Sequence, residues 1–205
     1  MAAFGLPFST DDDEDRALRA SIDMITKLWE WNEVRAENGL PPIDMGIGLN
    51  TDTVVSGNIG SPKRMDYTVI GDGVNLAARL ESACKQYAAR ILVSEFTHSN
   101  LKGVYRSREI DRVIVKGKTK PVGIYEVLDF HTAGTFPNVM EVLNYFKDGL
   151  EKYRLGDWDP AIKSFKEGQR LNPKDYITEM YIERCQSLKA DPPKDWDGVW
   201  VMTSK

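Results

Sequence analysis

The chain has few cysteines and histidines, and it has no long apolar run. It contains two cysteines and two histidines in 205 residues. Cys84 and Cys185 lie far apart in predicted helices, which is typical of reduced thiols in a cytoplasmic protein. No cysteines occur at metal-binding spacing, and His98 and His131 alone argue against a histidine-based metal centre. No apolar segment approaches membrane-spanning length, although a longer parent protein could carry a membrane anchor elsewhere.

An excess of basic residues is also missing. The chain has 27 lysines and arginines against 31 aspartates and glutamates, which gives a formal net charge of −4. This balance argues against nucleic acid or an anionic membrane as a partner. With 41% hydrophobic and 28% charged residues, the composition is typical of a soluble globular protein. The length allows one domain with a small appendage, or two small domains.

Hydrophobic periodicity predicts an α/β or α+β fold with a mixed, largely antiparallel sheet. Residues 15–38 are predicted as a helix whose apolar stripe, including Trp29 and Trp31, packs in the core. Residues 1–4 are predicted as the end of a strand, and residues 43–49 and 53–59 as a hairpin. The other predicted strands are 67–70, 91–93, 105–115 and 122–129, and the other predicted helical segments are 74–88 and 94–101.

The segment 65–81 contains the most informative residues of the chain. Asn75 and Arg79 are four residues apart near a predicted helix start, so they lie on one helix face. Gly71 and Gly73 flank Asp72, which indicates a tight turn with room for close backbone approach. An amide beside a planar, always-charged guanidinium suits a phosphorylated, sugar-bearing ligand. A purely structural interpretation is also open, with Asn75 as a helix cap and Arg79 as a solvated surface residue.

This segment resembles the signature of the class III nucleotidyl cyclases, the adenylyl and guanylyl cyclases. The resemblance covers roughly residues 1–130 and is greatest to bacterial enzymes similar to soluble adenylyl cyclases. It implies an α/β sandwich with the ferredoxin-like topology of the class III catalytic domain. The supporting motifs are Met1-Ala2-Ala3-Phe4-Gly5, Gly46-Ile47-Gly48, Gly57-Asn58-Ile59-Gly60 and Val115-Lys116-Gly117-Lys118.

The resemblance also implies roles for individual residues. Asn75 matches the amide that orients the ribose, and Arg79 matches the cation that stabilises the transition state at the α-phosphate. Thr68 matches the position that contacts the base edge, where a hydroxyl group favours ATP over GTP. A structural alternative for Thr68 is an ordinary threonine in a strand. Lys116 matches the lysine that meets the terminal phosphates, and the nearby Lys118 and Lys120 are alternatives for this role.

Other family residues have no counterpart in this sequence. The family uses two divalent metals, Mg²⁺ or Mn²⁺, held by two aspartates that lie upstream of the segment matching Met1. The resemblance therefore implies an N-terminally truncated catalytic domain whose metal ligands are absent from the chain. Family active sites form between two subunits, with aspartates from one and the Asn/Arg pair from the other. We expect the chain to bind ATP within a homodimer or with a cyclase partner subunit, and to be inactive alone.

Helical patterns dominate the carboxy-terminal third. Residues 131–137 are predicted as a linker, 138–190 as helices that resemble a tetratricopeptide repeat, and 191–205 as an aromatic-rich tail. Because a single repeat does not bury its own core, we expect these helices to pack on the cyclase-like domain or on a second chain. The tail either docks on the helices or binds a partner. The repeat-like positions are Tyr153, Gly156, Trp158, Ala161, Phe165, Gly168 and Pro173.

Three functional hypotheses follow from the sequence. The first is that the chain is part of an adenylyl cyclase that makes cyclic AMP and pyrophosphate in intracellular signalling. The second is a non-catalytic regulatory fragment whose repeat-like helices recruit a protein partner. The third is a guanylyl cyclase. The sequence does not indicate which signal regulates the protein.

Overall fold

The structure, a computed structural model, describes residues 1–61, 64–114 and 121–199. The chain divides into two compact units, Met1–Tyr105 and Arg106–Lys205. The predicted domain boundary at residue 130 stays a prediction, and the division between the compact units falls earlier in the chain. Within the described residues, no helix is both long enough and apolar enough to cross a bilayer.

In the first unit, the described residues form three helices and four strands. They are α1 (Asp13–Glu37), β1 (Ile47–Leu49), β2 (Val55–Ser61), β3 (Arg64–Ile70), α2 (Asp72–Tyr87), β4 (Ile91–Ser94) and α3 (Glu95–His98). The predicted strand end at residues 1–4 is wrong, because this segment has no regular secondary structure and forms no strand pairing in the described structure. Met1 and Phe4 are exposed there.

The strands of the first unit pair differently from the predicted hairpin. β1 pairs in parallel with β4, with Ile47 opposite Ile91. β2 pairs antiparallel with β3, with Val55 opposite Ile70. The turn at residues 50–52 favours a local hairpin, but a parallel pair needs a long crossover connection, which here includes α2. The hairpin prediction is therefore wrong, and α2 packs against both β1 and β4.

Glycine allows α2 to approach β1 closely. A side-chain carbon added at Gly48 would lie 2.3 Å from the carbonyl oxygen of Ala77 and 2.3 Å from the amide nitrogen of Glu81. At Gly46, such a carbon would lie 2.7 Å from the Cβ of Cys84. The backbone of the helix therefore lies against the backbone of the strand, which fixes how α2 is placed on β1.

Substituting Gly48 with alanine is expected to lower the free energy of unfolding by about 1–3 kcal/mol, because the new methyl group must push helix and strand apart. Urea denaturation measures this change. Gly57→Ala is the matched control, since a carbon added at Gly57 in β2 would meet nothing within 4 Å. Equal losses of stability in the two variants would contradict the close approach of α2 and β1.

One face of α1 is buried, and it includes Leu18 and Ile25. Leu18 and Ile25 are seven residues apart, and the next position on the same helix face is Asn32, not Trp31. Trp31 is accordingly 52% exposed, so its predicted position in the core is wrong. Trp29 is half-buried.

Asp15 joins the start of α1 to the loop that follows α3. Its carboxylate accepts hydrogen bonds from the amides of Lys102 (2.9 Å) and Gly103 (2.8 Å) and from the hydroxyl of Tyr105 (2.7 Å). Burial raises the pKa of Asp15, but these hydrogen bonds outweigh it and hold the pKa below its ordinary value. The carboxylate therefore stabilises the fold at neutral pH, and this contribution is lost as the pH falls through the folded-state pKa.

In the second unit, the described residues form a hairpin and three helices. They are β5 (Ser107–Ile114), β6 (Pro121–Val127), α4 (Val139–Leu155), α5 (Trp158–Leu171) and α6 (Tyr176–Ala190). β5 and β6 are antiparallel, with an irregularity between Glu109 and Asp111 that leaves Ile110 as the extra residue of a bulge. The predicted carboxy-terminal helical region is confirmed, while its resemblance to a tetratricopeptide repeat stays a prediction.

The three helices pack around buried aromatic rings. Phe146 of α4, Phe165 of α5 and Tyr181 of α6 have ring centroids 5.3–5.5 Å apart. Ala161 and Gly168 are buried in α5, in agreement with their prediction as small residues at helix contacts. The predicted helices thus share one aromatic core.

A buried arginine joins the hairpin to α6. The two terminal guanidinium nitrogens of Arg108 donate to the two carboxylate oxygens of Asp175 at 2.6 and 2.7 Å, and its Nε donates to Glu126 at 2.8 Å. All three side chains are buried. Burial raises the pKa of Asp175, but the charge of Arg108 and the hydrogen bonds from Arg108 and Thr178 lower it below its ordinary value. Burial raises the pKa of Glu126.

The bulge in β5 also faces α6. The hydroxyl of Tyr181 donates to the carbonyl oxygen of Ile110 at 2.5 Å. Next to it, Arg184 forms a buried ion pair with Asp111 at 2.7 Å. Successive residues of β5 therefore bond to one helix, so these helices pack on a strand of the predicted cyclase-like region, which is one of the two expected arrangements.

The aromatic tail docks on the helices, which was one of its two predicted alternatives. The ring centroid of Trp196 lies 5.2 Å from that of Tyr153 and 5.0 Å from that of Trp158. Its Nε1 lies 3.1 Å from the carbonyl oxygens of Tyr153 and Arg154. Trp200 lies outside the described residues.

Candidate functional site

The predicted polar pair lies on the exposed face of α2. Asn75 and Arg79 are both exposed, one turn apart, as their spacing predicts. Within the described part of the chain, neither side chain forms a hydrogen bond or an ion pair with another residue. The amide and the guanidinium group are therefore both available to a ligand.

The opposite face of α2 fixes this orientation. It is buried through a set of residues at helical spacing, namely Gly73, Leu76, Leu80, Cys84 and Tyr87. The residue that precedes the helix is Gly71, and no side chain caps the helix start. Asn75 is therefore not a helix cap, and the structural interpretation of this residue is wrong.

Thr68 lies on β3, the strand that leads through Gly71 into α2. It is half-buried and stands directly opposite Gly57 on β2. Directly opposite residues of an antiparallel pair share one face, so the missing side chain of Gly57 leaves space beside Thr68. A carbon added at Gly57 would meet no atom within 4 Å. This space beside the hydroxyl of Thr68 is open to a ligand.

The predicted phosphate-binding lysine lies outside the described residues. Lys116, with its alternatives Lys118 and Lys120, belongs to the connection 115–120 between β5 and β6. The structure brings together Asn75 and Arg79 on one helix face and places Thr68 on the preceding strand. The role of Lys116 stays a prediction.

Comparison with known families decides the identity of this region. The sequence model described as the adenylate and guanylate cyclase catalytic domain matches residues 1–128. The chain belongs to the class III nucleotidyl cyclase family. The predicted family is thereby confirmed, and the matched residues include Thr68, Asn75 and Arg79.

Individual cyclases show the same similarity. The chain is 35% identical over 152 residues to the terminal-differentiation specific adenylate cyclase of Dictyostelium discoideum, covering 72% of this chain and 7% of that protein. It is 43% identical over 124 residues to an adenylate cyclase of Anabaena cylindrica, covering 57% of this chain and 25% of that protein. The chain therefore spans a quarter or less of the length of these two relatives.

Solved cyclase structures share the fold. The adenylyl cyclase CyaB from P. aeruginosa matches with a TM-score of 0.55 and 36% identity, covering 62% of this chain and 65% of that one. The guanylyl cyclase Cya2 matches with a TM-score of 0.52 and 40% identity, covering 60% of this chain and 62% of that one. These matches confirm the predicted α+β fold of the class III catalytic domain.

The cyclase family generally uses divalent metals. Among the described residues, no group of three or more histidine, cysteine, aspartate or glutamate side chains could hold a metal ion. The described part of the chain therefore shows no metal site of its own.

The β2–β3 hairpin of the cyclase-like region exposes large apolar side chains on both strands. Val55 is 71% exposed, Tyr67 64% and Met65 60%. Ile70, on the same hairpin, is 53% exposed. Val55 and Ile70 stand opposite each other and share one face of the hairpin, while Met65 and Tyr67 lie on the other face. Exposed apolar side chains on both faces of one element are typical of an element that meets another protein.

Sequence reasoning missed a polar residue that contacts the start of the cyclase signature helix. Asn50 donates from its Nδ2 to the carbonyl oxygen of Gly73 at 3.1 Å. Its Oδ1 accepts a hydrogen bond from Ser94 at 2.7 Å. In the sequence, the only sign of this role is that Asn50 is a polar residue directly after a short predicted strand. The same pattern is equally typical of a turn.

Proposed function

We propose that this chain supplies Asn75 and Arg79 to the active site of an adenylyl cyclase, which converts ATP to cyclic AMP and pyrophosphate. The observation that carries the proposal is the geometry of this pair on α2. Both side chains are exposed, one turn apart and unengaged by other described residues, inside the region that matches the cyclase family. Membership of the family supports the reaction type.

The two side chains suit different parts of this reaction. The ribose 3′-hydroxyl attacks the α-phosphorus in line, and pyrophosphate leaves from the opposite side. The amide of Asn75 can donate and accept hydrogen bonds, which suits it to orient the ribose. The guanidinium group of Arg79 is always charged and matches phosphate geometry, so it can stabilise the negative charge that develops at the α-phosphate.

We propose that the hydroxyl of Thr68 contacts the edge of adenine. Support comes from the position of Thr68 on β3, seven residues before Asn75, and from the space opposite it at Gly57. A hydroxyl group can donate or accept, so it can bond to the adenine edge. Similarity to both adenylyl and guanylyl cyclases leaves guanylyl cyclase as the competing assignment.

We further propose that the active site is shared between two subunits. The exposed apolar side chains of the β2–β3 hairpin support this arrangement, since contact with a second subunit would cover them. On this proposal the metal-binding carboxylates come from the partner, and the described residues of this chain form no group of three or more metal-ligating side chains. On this proposal the chain alone has no turnover.

A complementation assay tests the proposed function. The full chain is mixed with a class III cyclase subunit that carries both metal-binding aspartates but has its own Asn/Arg pair substituted by alanine. With Mg²⁺ or Mn²⁺ and ATP, we expect cyclic AMP from the mixture and none from either component alone. A stable complex without turnover would contradict the proposal.

The same mixture measures nucleotide preference. We expect kcat/KM for ATP to exceed that for GTP by at least tenfold, since a site that hydrogen-bonds one base edge leaves polar groups unpaired with the other. A preference for GTP would instead assign the protein as a guanylyl cyclase.

We do not favour the alternative of a regulatory fragment that recruits a partner through its helices. The aromatic side chain of Tyr181 and the guanidinium group of Arg184 on α6 bond to β5 of the same chain. Trp196 of the tail covers Tyr153 and Trp158. Several side chains that could recruit a partner are therefore already engaged.

A further inference from the structure

A chain of polar side chains lies under the first turn of α2. Asn50 links the carbonyl oxygen of Gly73 (3.1 Å) to the hydroxyl of Ser94 (2.7 Å). Ser94 caps α3, because its hydroxyl accepts a hydrogen bond from the amide of Thr97 at 3.3 Å. Ser94 and Thr97 are buried. One amide side chain thus joins the end of β1, the end of β4 and the start of α2.

The first turn of α2 lies directly on this loop. A side-chain carbon added at Gly73 would be 2.4 Å from the Cβ of Asp52 and 3.1 Å from the Nδ2 of Asn50. Glycine at this position therefore allows the contact. Gly73 is two residues before Asn75, so a shift of this turn moves the backbone that carries the Asn75 side chain.

Other contacts hold a different part of the helix. The close approach at Gly48 involves Ala77 and Glu81, which belong to the second and third turns of α2. Because the Asn75 side chain forms no bond with other described residues, its position depends on the backbone of the first turn. The hydrogen bond from Asn50 is a side-chain contact that restrains this turn.

We propose that Asn50 is a positioning residue for Asn75, acting through the carbonyl group of Gly73. The proposal rests on the function proposed above. Gly73 lies inside α2 (Asp72–Tyr87). Because a carbonyl group in an α-helix accepts a hydrogen bond from the amide four residues later, loss of the Asn50 bond leaves the Gly73 carbonyl satisfied. The effect of losing that bond is therefore a looser first turn rather than an unfolded protein.

The direct test is Asn50→Asp, which keeps the shape of the side chain and an acceptor for Ser94. It replaces the Nδ2 donor by an oxygen that repels the Gly73 carbonyl. In the complementation mixture, we expect kcat to fall roughly 10–100-fold, because small misplacement of a reactive group has effects of this size. KM for ATP is expected to change less than threefold.

Asn100→Asp is the matched control. Asn100 is exposed, and its Nδ2 donates to the backbone carbonyl of Phe96 at 3.0 Å. The control therefore loses the same kind of bond and gains the same charge, away from α2. We expect it to keep the kcat of the unmodified chain, and an equal fall in both variants would overturn the proposal.

Hydrogen exchange gives a readout that does not depend on activity. In Asn50→Asp, we expect faster amide exchange in residues 73–77 and unchanged exchange in residues 80–87. Ser94→Ala removes the hydroxyl that donates to the Oδ1 of Asn50, and it should give the same exchange pattern to a smaller extent. This variant replaces Asn50→Asp in the experiment if Asn50→Asp fails to fold. Unchanged exchange in residues 73–77 would overturn the positioning role.

The two proposals can fail separately. If the unmodified chain gives no cyclic AMP with its partner, the proposed function fails, while the exchange experiment still tests the link between Asn50 and the first turn. If the unmodified chain is active and Asn50→Asp keeps its kcat, only the positioning role fails.

Discussion

Replacing Arg79 with alanine is expected to lower kcat of the complemented cyclase by roughly 10³–10⁵-fold, the range for a well-placed arginine in phosphoryl transfer. The guanidinium group is proposed to meet charge that develops only in the transition state, so KM for ATP should change far less than kcat. Steady-state kinetics of cyclic AMP formation with the partner subunit measure both constants.

Lys85→Ala provides the control for this substitution. Lys85 is also an exposed basic residue of α2, but it lies near the end of the helix, away from Arg79. Its removal changes the net charge equally and should leave kcat within about twofold, since a surface substitution removes no transition-state contact. If Arg79→Ala raised KM and left kcat intact, Arg79 would be a ground-state binding residue and the proposed role would be wrong.

Replacing Asp175 with alanine is expected to lower the free energy of unfolding by about 3–5 kcal/mol. The substitution leaves the buried guanidinium group of Arg108 with Glu126 alone, and burial raises the pKa of that glutamate. A buried charge without its full set of partners is far more costly than a broken surface pair. Urea denaturation followed by tryptophan fluorescence measures the loss.

Asp159→Ala breaks an ion pair of similar length on the surface of the same unit. The Asp159 carboxylate lies 2.6 Å from the Nζ of Lys189, and the two side chains are 70% and 53% exposed. Solvent screens this pair, so its loss should lower the free energy of unfolding by less than about 1 kcal/mol. Similar losses in Asp159→Ala and Asp175→Ala would show that burial of Arg108 is not important to stability.

The sequence predicted local features of this fold well. The helix of residues 74–88 and the shared face of Asn75 and Arg79 follow from periodicity, which depends only on near neighbours in the chain. The small residues Ala161 and Gly168 were predicted at helix contacts, and both are buried. In each case the physical cause lies within one or two helical turns.

Distant contacts were not predictable in the same way. The pairing of β1 with β4 depends on α2 lying across both strands, whereas the turn at residues 50–52 favours a local hairpin. The bond from Asn50 to Gly73 joins residues that are 23 positions apart. Arginine and aspartate are residue types that usually lie on the protein surface. Only the folded chain shows that Arg108 and Asp175 are buried together.

The bulge at Ile110 has a practical consequence for protein engineering. The family match stops at residue 128, which makes that position an obvious end for an expression fragment. A fragment cut there keeps Arg108 and Asp111 but removes Asp175, Tyr181 and Arg184. It would leave the charged side chains of Arg108 and Asp111 without their partners on α6 and at its start. Insolubility or inactivity of such a fragment would therefore say nothing about the chemistry at Arg79. Fragments intended for biochemistry should extend at least to the end of α6.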